Sequence, residues 1–250
     1  MLIKVVTLNI WRGKFFENII EFVKKEDPDL IFFQEVYDGH GDNLSVGYRF
    51  FSEFKSRFPE YNGFLGAGFK DITNNENADA GSAIFSKHRI VSSTNTFLFG
   101  SYRVFRQRAQ TDFSKDPVPF VYANIDPLGT EINAFCAHGI WGFDGKDSTP
   151  RLKMVDDMIK LFEGKKNVIL AGDFNMGPDT ESIHKIEKHL TSVFGTSLKT
   201  TFNMKHKDKP GFAISAVDMM FVSPNIKIID KKCPDVDVSD HLPLLATLEL

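Results

Sequence analysis

Polar side chains sit where the apolar runs of this 250-residue chain stop. Asn9 closes the run that starts at Leu2, and Glu35 follows Ile31-Phe32-Phe33-Gln34. His138 ends Ala134–Ala137, and Asp173 and Asn175 follow Val168–Ala171 in Gly172-Asp173-Phe174-Asn175. Asp218 interrupts Ala216–Phe221, and Asp240 and His241 precede the last apolar run. Taken singly, an Asn or Asp at a strand end is a turn former or cap, and His138 reads as a satisfied interior histidine. Asp218 resists that reading, because a carboxylate inside an apolar strand costs several kcal/mol unless it is paired or metal-bound. Taken together, the set supplies hard oxygen ligands, acids able to hold a cation or a water, and two histidines. There is no Cys–His cluster or His-Glu-x-x-His for zinc, no Gly-rich loop ending in Lys-Ser/Thr, and no Gly-x-Ser-x-Gly. Oxygen ligands with open positions suit Mg²⁺ or Mn²⁺, which complete their shells with water and phosphate.

These residues need elements to bring them together. Leu2–Ile10 reads as a strand, and Phe15–Lys25 as an amphipathic helix from its i, i+3, i+4, i+7 apolar spacing. Asp27-Pro28 stops that helix, and Asp29–Val36 reads as a buried strand, which makes a parallel crossover unit. Val46–Phe58, Arg151–Glu163 (opened by Thr149-Pro150) and Thr180–Leu190 read as further helices. Further strands are predicted at Gly81–Lys87, Ile90–Phe99, Glu131–Ala137, Asn167–Ala171, Ile214–Val222, Ile226–Ile229 and Leu244–Leu250. Arg103–Thr111 and Pro119–Ile125 are expected to pair antiparallel around Asp116-Pro117. Strands outnumber helices and lie in groups between them, which argues for mixed sheets covered by a few helices. No repeat or linker is visible, so one domain is expected across residues 1–250.

Composition narrows the partners. With 33 acidic residues against 30 Lys and Arg, the net charge is -3. That excludes a general basic coat for nucleic acid and leaves local patches open. Cys136 reads as a buried thiol and Cys233 as near the surface, with a pairing between them open. Met1–Val6 carries no charged segment followed by an apolar one, and no window approaches the ~18 apolar residues of a membrane span. A cytoplasmic monomer is expected, and no protein partner is readable. The 25 phenylalanines against five tyrosines point to core filling.

The ordered set Thr7-x-Asn9, Gln34-Glu35, Gly81-Ser82-Ala83-Ile84-Phe85-Ser86, His138, Gly172-Asp173-Phe174-Asn175, Asp218 and Ser239-Asp240-His241-Leu242-Pro243 resembles the endonuclease/exonuclease/phosphatase superfamily of DNase I-like hydrolases. The resemblance runs from residue 3 to residue 250. It implies an α/β fold, a four-layer αββα sandwich of two packed mixed sheets, and divalent-metal-dependent hydrolysis of a phosphoester. It implies Glu35 as principal metal ligand, with Asn9 beside it and Asp240 near the ion. It makes Asp173 the group that orients or deprotonates the attacking water and Asn175 a donor to the phosphate. His241, oriented by Asp218, would bind the scissile phosphate or move a proton. His138 would stand on the leaving-group side. Trp11 lies where the abasic-site branch has a metal-binding acid, and His138 where that branch has tyrosine. Both departures point towards the DNase I or sphingomyelinase style of site. In the DNase I branch a glutamate supports this histidine, and Asp79 and Glu76 are the candidates here.

Specificity is expected in loops. Tyr102–Arg108 interleaves Arg103, Arg106 and Arg108 with aromatics, a pattern for phosphate contact and stacking or simply a solvated hairpin face. Lys199 and Lys205–Lys209 form a second basic stretch. Trp141 and Phe143, among glycines directly after His138, read as a stacking platform or a loop tucked onto the core. The leading expectation is a phosphodiesterase of nucleic acid or nucleotide-like substrates. A phosphoesterase of small molecules or lipid head groups comes second, and a non-catalytic binding module of the same fold third.

Overall fold

The computed structural model describes residues 1–41, 43–73, 77–107 and 112–250. Strands β1 (Leu2–Asn9), β2 (Leu30–Gly39), β3 (Asn62–Asp71), β4 (Ala78–Ser86), β6 (Arg103–Phe105), β12 (Lys227–Lys232) and β13 (Leu244–Glu249) form one mixed sheet in the order β12-β13-β1-β2-β4-β3-β6. Strands β5 (Arg89–Phe99), β7 (Val118–Asp126), β8 (Ile132–His138), β9 (Val168–Asp173), β10 (Thr191–Ser192) and β11 (Asp218–Val222) form the second, in the order β10-β11-β9-β8-β7-β5. Helices α1 (Phe16–Glu26) and α2 (Phe50–Arg57) cover the first sheet, and α3 (Thr149–Phe162) and α4 (Glu181–Glu187) cover the second. The result is the expected four-layer αββα sandwich. No helix among the described residues is long and apolar enough to cross a membrane.

Three apolar layers hold it together, and they differ in composition. The layer between the sheets is mostly aliphatic and small, with Val5, Ile84, Val121, Ile125, Ala134, Ile169, Ala171 and Leu248. The layer under α1 and α2 is built from Phe16, Phe33, Phe50, Phe54, Phe58 and Phe85, many in edge-to-face contact. Phe120, Phe135, Phe162, Phe174 and Phe221 fill the layer under α3 and α4. The phenylalanines therefore concentrate where a helix meets a sheet. The narrower gap between two sheets, about 10 Å, takes β-branched residues.

The structure corrects several sequence expectations. Gly81–Lys87 and Ile90–Phe99 are the consecutive strands expected, and the turn between them carries the chain from one sheet to the other. Arg103–Phe105 pairs parallel with β3, whereas Val118–Asp126 pairs with β5 and β8. Val46–Phe58 divides into a 3-10 turn, Val46–Arg49, and α2. Strand β3 was not predicted, because Gly63, Gly66 and Gly68 give it little β propensity. A side chain at Gly66 would come within 2.3 Å of Val121 in the other sheet, so its glycine permits the sheets to approach. Both cysteines are free, Cys136 buried and Cys233 half-buried.

One charged cluster ties α1 to two strands of its sheet, β1 and β12. Glu26, at the end of α1, accepts from Lys4 of β1 at 2.7 Å and from Lys232 of β12 at 2.9 Å. Burial opposes ionisation of Glu26, but the two ammonium groups outweigh it and hold its carboxyl below the usual range. A depressed folded pKa gives stability that is present above the unfolded pKa and lost as pH falls through the folded value. Glu26→Gln is therefore expected to cost about 1–2 kcal/mol at pH 7, since two charge-assisted bonds go but both lysines can reach water. Urea denaturation at pH 7 and at acid pH checks this. The gap between the two proteins should close on acidification, and a gap independent of pH would contradict the ionic origin.

Candidate active site

Strand register does most of the assembly. His138 of β8 pairs with Asp173 of β9, and Asp173 pairs in turn with Asp218 of β11, so three functional groups form one row across three adjacent strand ends. In the facing sheet, β1 and β2 run parallel with Asn9, the last residue of β1, opposite Gln34, while β2 continues past the expected end at Val36 to Gly39. Strict alternation would turn Glu35 into the aromatic layer beneath α2. Instead the β2–β4 register shifts between Phe33 and Val36, and Glu35 adopts a left-handed φ of 58°. This bulge re-aims the carboxylate to the sheet end. Gln34 remains buried between the sheets, donating to Thr7 at 3.3 Å and to the sulfur of Cys136 at 3.2 Å.

The Gly172–Asn175 turn fixes Asp173. A side chain at Gly172 would lie 1.9 Å from the Ala137 carbonyl oxygen, so glycine permits β9 to hug β8 here. Asp173 Oδ1 accepts from the Asn175 backbone N–H at 2.9 Å, which leaves Oδ2 for the site. Asn175 is left-handed, with φ 54°, and its side-chain amide donates to the Gly139 carbonyl at 3.0 Å. Phe174 is fully buried.

Asn9 joins the two sheets. Its amide nitrogen donates to Glu35 Oε1 at 3.2 Å and to Asp173 Oδ2 at 3.1 Å, and its oxygen accepts from Trp11 N–H at 3.1 Å. Asp173 Oδ2 also faces both imidazoles, 3.7 Å from His138 Nε2 and 3.9 Å from His241 Nε2. His241 Nδ1 bonds Asp218 Oδ2 at 2.8 Å, and the Phe202 ring packs 4.7 Å from the imidazole. Asp218 is 2% exposed, with its backbone N–H donating to Thr201 Oγ1, and it stands behind His241 rather than in the cleft. Burial would push the His241 pKa down, but Asp218, with Asp173 and Asp240 behind it, outweighs burial and raises it. Burial and the charge of Asp173 draw Asp218 upward, against the pull of His241. The proton rests on the ring, so His241 is an imidazolium at neutral pH.

Asp173, Asp218 and His241 place one ligand-capable atom each within 4.8 Å of one another. A protonated imidazole cannot ligate a metal, so the upward shift of His241 favours a proton between its ring and Asp218 over a metal ligand at this trio. The donor set that fits a hard divalent cation centres on Glu35. Its carboxylate is half-buried, and its one ion-pair contact among the described residues is Arg12 Nε at 3.7 Å, too long for a hydrogen bond. Asn9 presents its nitrogen to the carboxylates in this arrangement and so spaces Glu35 from Asp173. Asp240 Oδ2 is engaged by Lys207 Nζ at 2.8 Å.

All these groups except Asp218 line or border one cleft of about 890 Å³. Trp141 and Phe143 line it, 4.4 Å apart between ring centroids. Lys207, Lys209, Phe202, Phe212 and Ile214 also line it, and only the lysines of this group stood out in the sequence. The two loops flank Asp173 because β8 and β11 are the two neighbours of β9. Arg103 and Arg106 are exposed and absent from the lining. Arg103 bonds the Lys115 carbonyl and Asp116 instead. Arg108 and Glu76 lie outside the described residues. Asp79 accepts from the Tyr102 hydroxyl at 2.6 Å and does not support His138; the carboxylate beside His138 is Asp173.

Sequence reading missed Arg151. It is 3% exposed at the start of α3, and it donates to the Ile140 carbonyl at 3.1 Å, to Asp144 at 3.2 Å and to the Lys146 carbonyl. It therefore clamps both sides of the loop that carries Trp141 and Phe143. Its place next to a helix cap disguised it as an ordinary first-turn residue. Arg151→Met is expected to raise KM about tenfold, the size of one lost charge-assisted bond, with little change in kcat. Steady-state kinetics on a folded variant would show this, and an unchanged KM would confine Arg151 to stability.

The profile of the Endonuclease/Exonuclease/phosphatase family matches residues 6–241. An endonuclease/exonuclease/phosphatase from Bacteroides vulgatus is similar in structure at 18% identity, covering 100% of this chain and 99% of its own, with a TM-score of 0.78. A mannosyl-6-phosphatase from Bacteroides thetaiotaomicron is similar at 21% identity, covering 99% and 100%, with a TM-score of 0.71. So is D. rerio TDP2 complexed with a single-strand DNA product, at 15% identity, covering 100% and 99%, with a TM-score of 0.72. No curated protein matches the chain in sequence. Fold and site together define a DNase I-like phosphoester hydrolase. The chain belongs to the endonuclease/exonuclease/phosphatase family.

Proposed function

We propose that this chain is a Mg²⁺- or Mn²⁺-dependent phosphodiesterase acting on a nucleotide-type substrate or on a nucleic acid end. The observation that carries the reading is the cleft of about 890 Å³, which has carboxylates and imidazoles at its base and both aromatics and lysines in its lining. A pocket of that size takes a compact phosphoester, and the rings of Trp141 and Phe143 suit stacking of a flat base. Since neither Arg103 nor Arg106 lines the cleft, nothing among the described residues extends it into a basic track for a long duplex.

Glu35 would hold the ion, with Asp240 and the Asn9 amide beside it. When bound, the ion supplies Lewis-acid polarisation of a non-bridging phosphate oxygen. The remaining chemistry is assigned to the chain. Asp173 Oδ2 orients the attacking water and takes its proton, because His241 already carries one and cannot. The His241 Nε2–H donates to the phosphoryl oxygens as negative charge grows there, and Asp218 keeps the ring in that tautomer. His138, on the other side of Asp173, is placed to protonate the departing oxygen. Asn175 holds the Gly139 carbonyl with one N–H and so fixes the start of the aromatic loop, and its second N–H is the donor for its expected bond to phosphate.

Two exposed apolar residues in the lining, Phe143 at 91% and Ile214 at 81% exposure, favour one second reading, a small-molecule or lipid head-group phosphoester. A matched panel with Mg²⁺ separates the two: single- and double-stranded DNA, RNA, dinucleotides, sugar phosphates, inositol phosphates and sphingomyelin. Turnover concentrated on dinucleotides and strand ends supports the first reading. Turnover confined to sugar or head-group phosphates overturns it.

A further inference from the structure

The roles assigned above leave Arg12 unused, and its surroundings are costly. Trp11, Arg12 and Gly13 have φ of 48°, 56° and 67°, a left-handed turn directly after Asn9. Such backbone costs roughly 1–2 kcal/mol for each non-glycine residue, and it persists only where the surroundings over-determine it. Here Trp11 N–H is held by Asn9 Oδ1 at 3.1 Å, Gly13 N–H by the Ile10 carbonyl at 2.9 Å, and Lys14 Nζ lies 3.5 Å over the Trp11 ring. The strain places one guanidinium in the cleft beside Glu35.

That guanidinium is poorly used for structure. Its side chain is 29% exposed, it lines the cleft, and its approach to Glu35 is 3.7 Å. Among the described residues it makes no hydrogen bond, although it carries five N–H donors. Tyr37, Tyr48 and the fully buried Asp71 act on it electrostatically, and Asp71 Oδ1 serves Thr73 and Gln107. Among the described residues Asp71 Oδ2 meets no hydrogen-bond donor. A residue serving only to neutralise Glu35 or Asp71 would close a paired contact with one of them. Arg12 instead lines the cleft without closing such a contact.

We infer that Arg12 is a substrate-binding residue whose planar fork donates to two oxygens of the phosphoryl group on the Glu35 side of the cleft. The inference rests on the hydrolase reading above. A guanidinium matches two phosphate oxygens at once, whereas an ammonium supplies a point charge. Arg12 thereby adds geometry to the charge that a metal and His241 provide.

Calorimetric titration with inorganic phosphate in the presence of Mg²⁺ tests this on the full chain, as wild type, Arg12→Gln and Arg12→Lys. Arg12→Gln is expected to weaken phosphate binding by about tenfold or more, and Arg12→Lys to recover only part of it. Mg²⁺ affinity measured without phosphate should be unchanged or tighter in Arg12→Gln, because a positive neighbour of Glu35 has gone. Phosphate affinity equal to wild type in a folded Arg12→Gln protein overturns the assignment. Should Arg12→Gln not fold, Arg12→Lys decides, and wild-type affinity there overturns the fork. A wild type that hydrolyses phosphoesters, yet binds phosphate no better than the variants, overturns the Arg12 role alone. A wild type that does neither removes the hydrolase reading and this inference with it.

Discussion

His241→Ala is expected to lower kcat by about 10²–10⁴-fold on any phosphodiester the enzyme accepts, the range for a group that moves or holds a proton in the transition state. The fold should survive, because His241 lies in the segment before β13 and the Phe202 ring keeps its packing on Phe212. The effect should fall on kcat more than on KM, since the imidazolium acts on charge that grows as the phosphoryl oxygens are attacked. Asp218→Asn should reproduce much of the loss, because the amide can no longer hold the ring as an imidazolium with Nε2–H facing Asp173. The two changes made together should cost about as much as His241→Ala alone, the non-additivity of residues that act as one unit. Steady-state rates for the three variants check this. A fully active His241→Ala protein refutes the role.

Glu35→Gln is the second large effect. The amide keeps its size and can still meet Asn9, but it offers no negative charge to a divalent cation. The expected result is a Mg²⁺ requirement shifted upward by about 10²-fold or beyond the measurable range, by analogy with the 10–100-fold loss from disturbing even the outer partners of a metal ligand. Activity should return in part as Mg²⁺ is raised. Titration of rate against Mg²⁺ for both proteins reads this directly. An unshifted Mg²⁺ dependence would move the ion away from Glu35.

Much of this site was legible because its groups occupy strand ends. Asn9, Glu35, His138, Asp173 and Asp218 interrupt or close apolar runs, and the registers of β1, β2, β8, β9 and β11 bring those ends to one edge. Asp218 announced itself by the cost of a carboxylate in an apolar strand, and its bond to His241 offsets that cost. Other features depend on tertiary contacts that no local pattern encodes. The bulge that turns Glu35 outward, the glycine-rich β3 and the passage of the chain between sheets after β4 are of this kind. So is the position of Arg103, whose alternation with aromatics resembles a phosphate-binding strand while its guanidinium is turned to Asp116. Arg151 was hidden, and the contact that Lys207 makes was not readable, for a further reason. Their roles lie in what they hold, the aromatic loop and Asp240, and spacing along the chain does not report that.

Metal-dependent hydrolysis of a phosphodiester by the groups around Asp173 is the central proposal. The most direct measurement is the release of p-nitrophenol from bis-p-nitrophenyl phosphate by the wild-type chain, with Mg²⁺, with chelator, and with Mg²⁺ restored. The account predicts turnover with Mg²⁺, none with chelator, and recovery on restoration, with the Asp173→Asn protein inactive in all three conditions. Turnover that persists in chelator, or an Asp173→Asn protein as active as wild type, would contradict it.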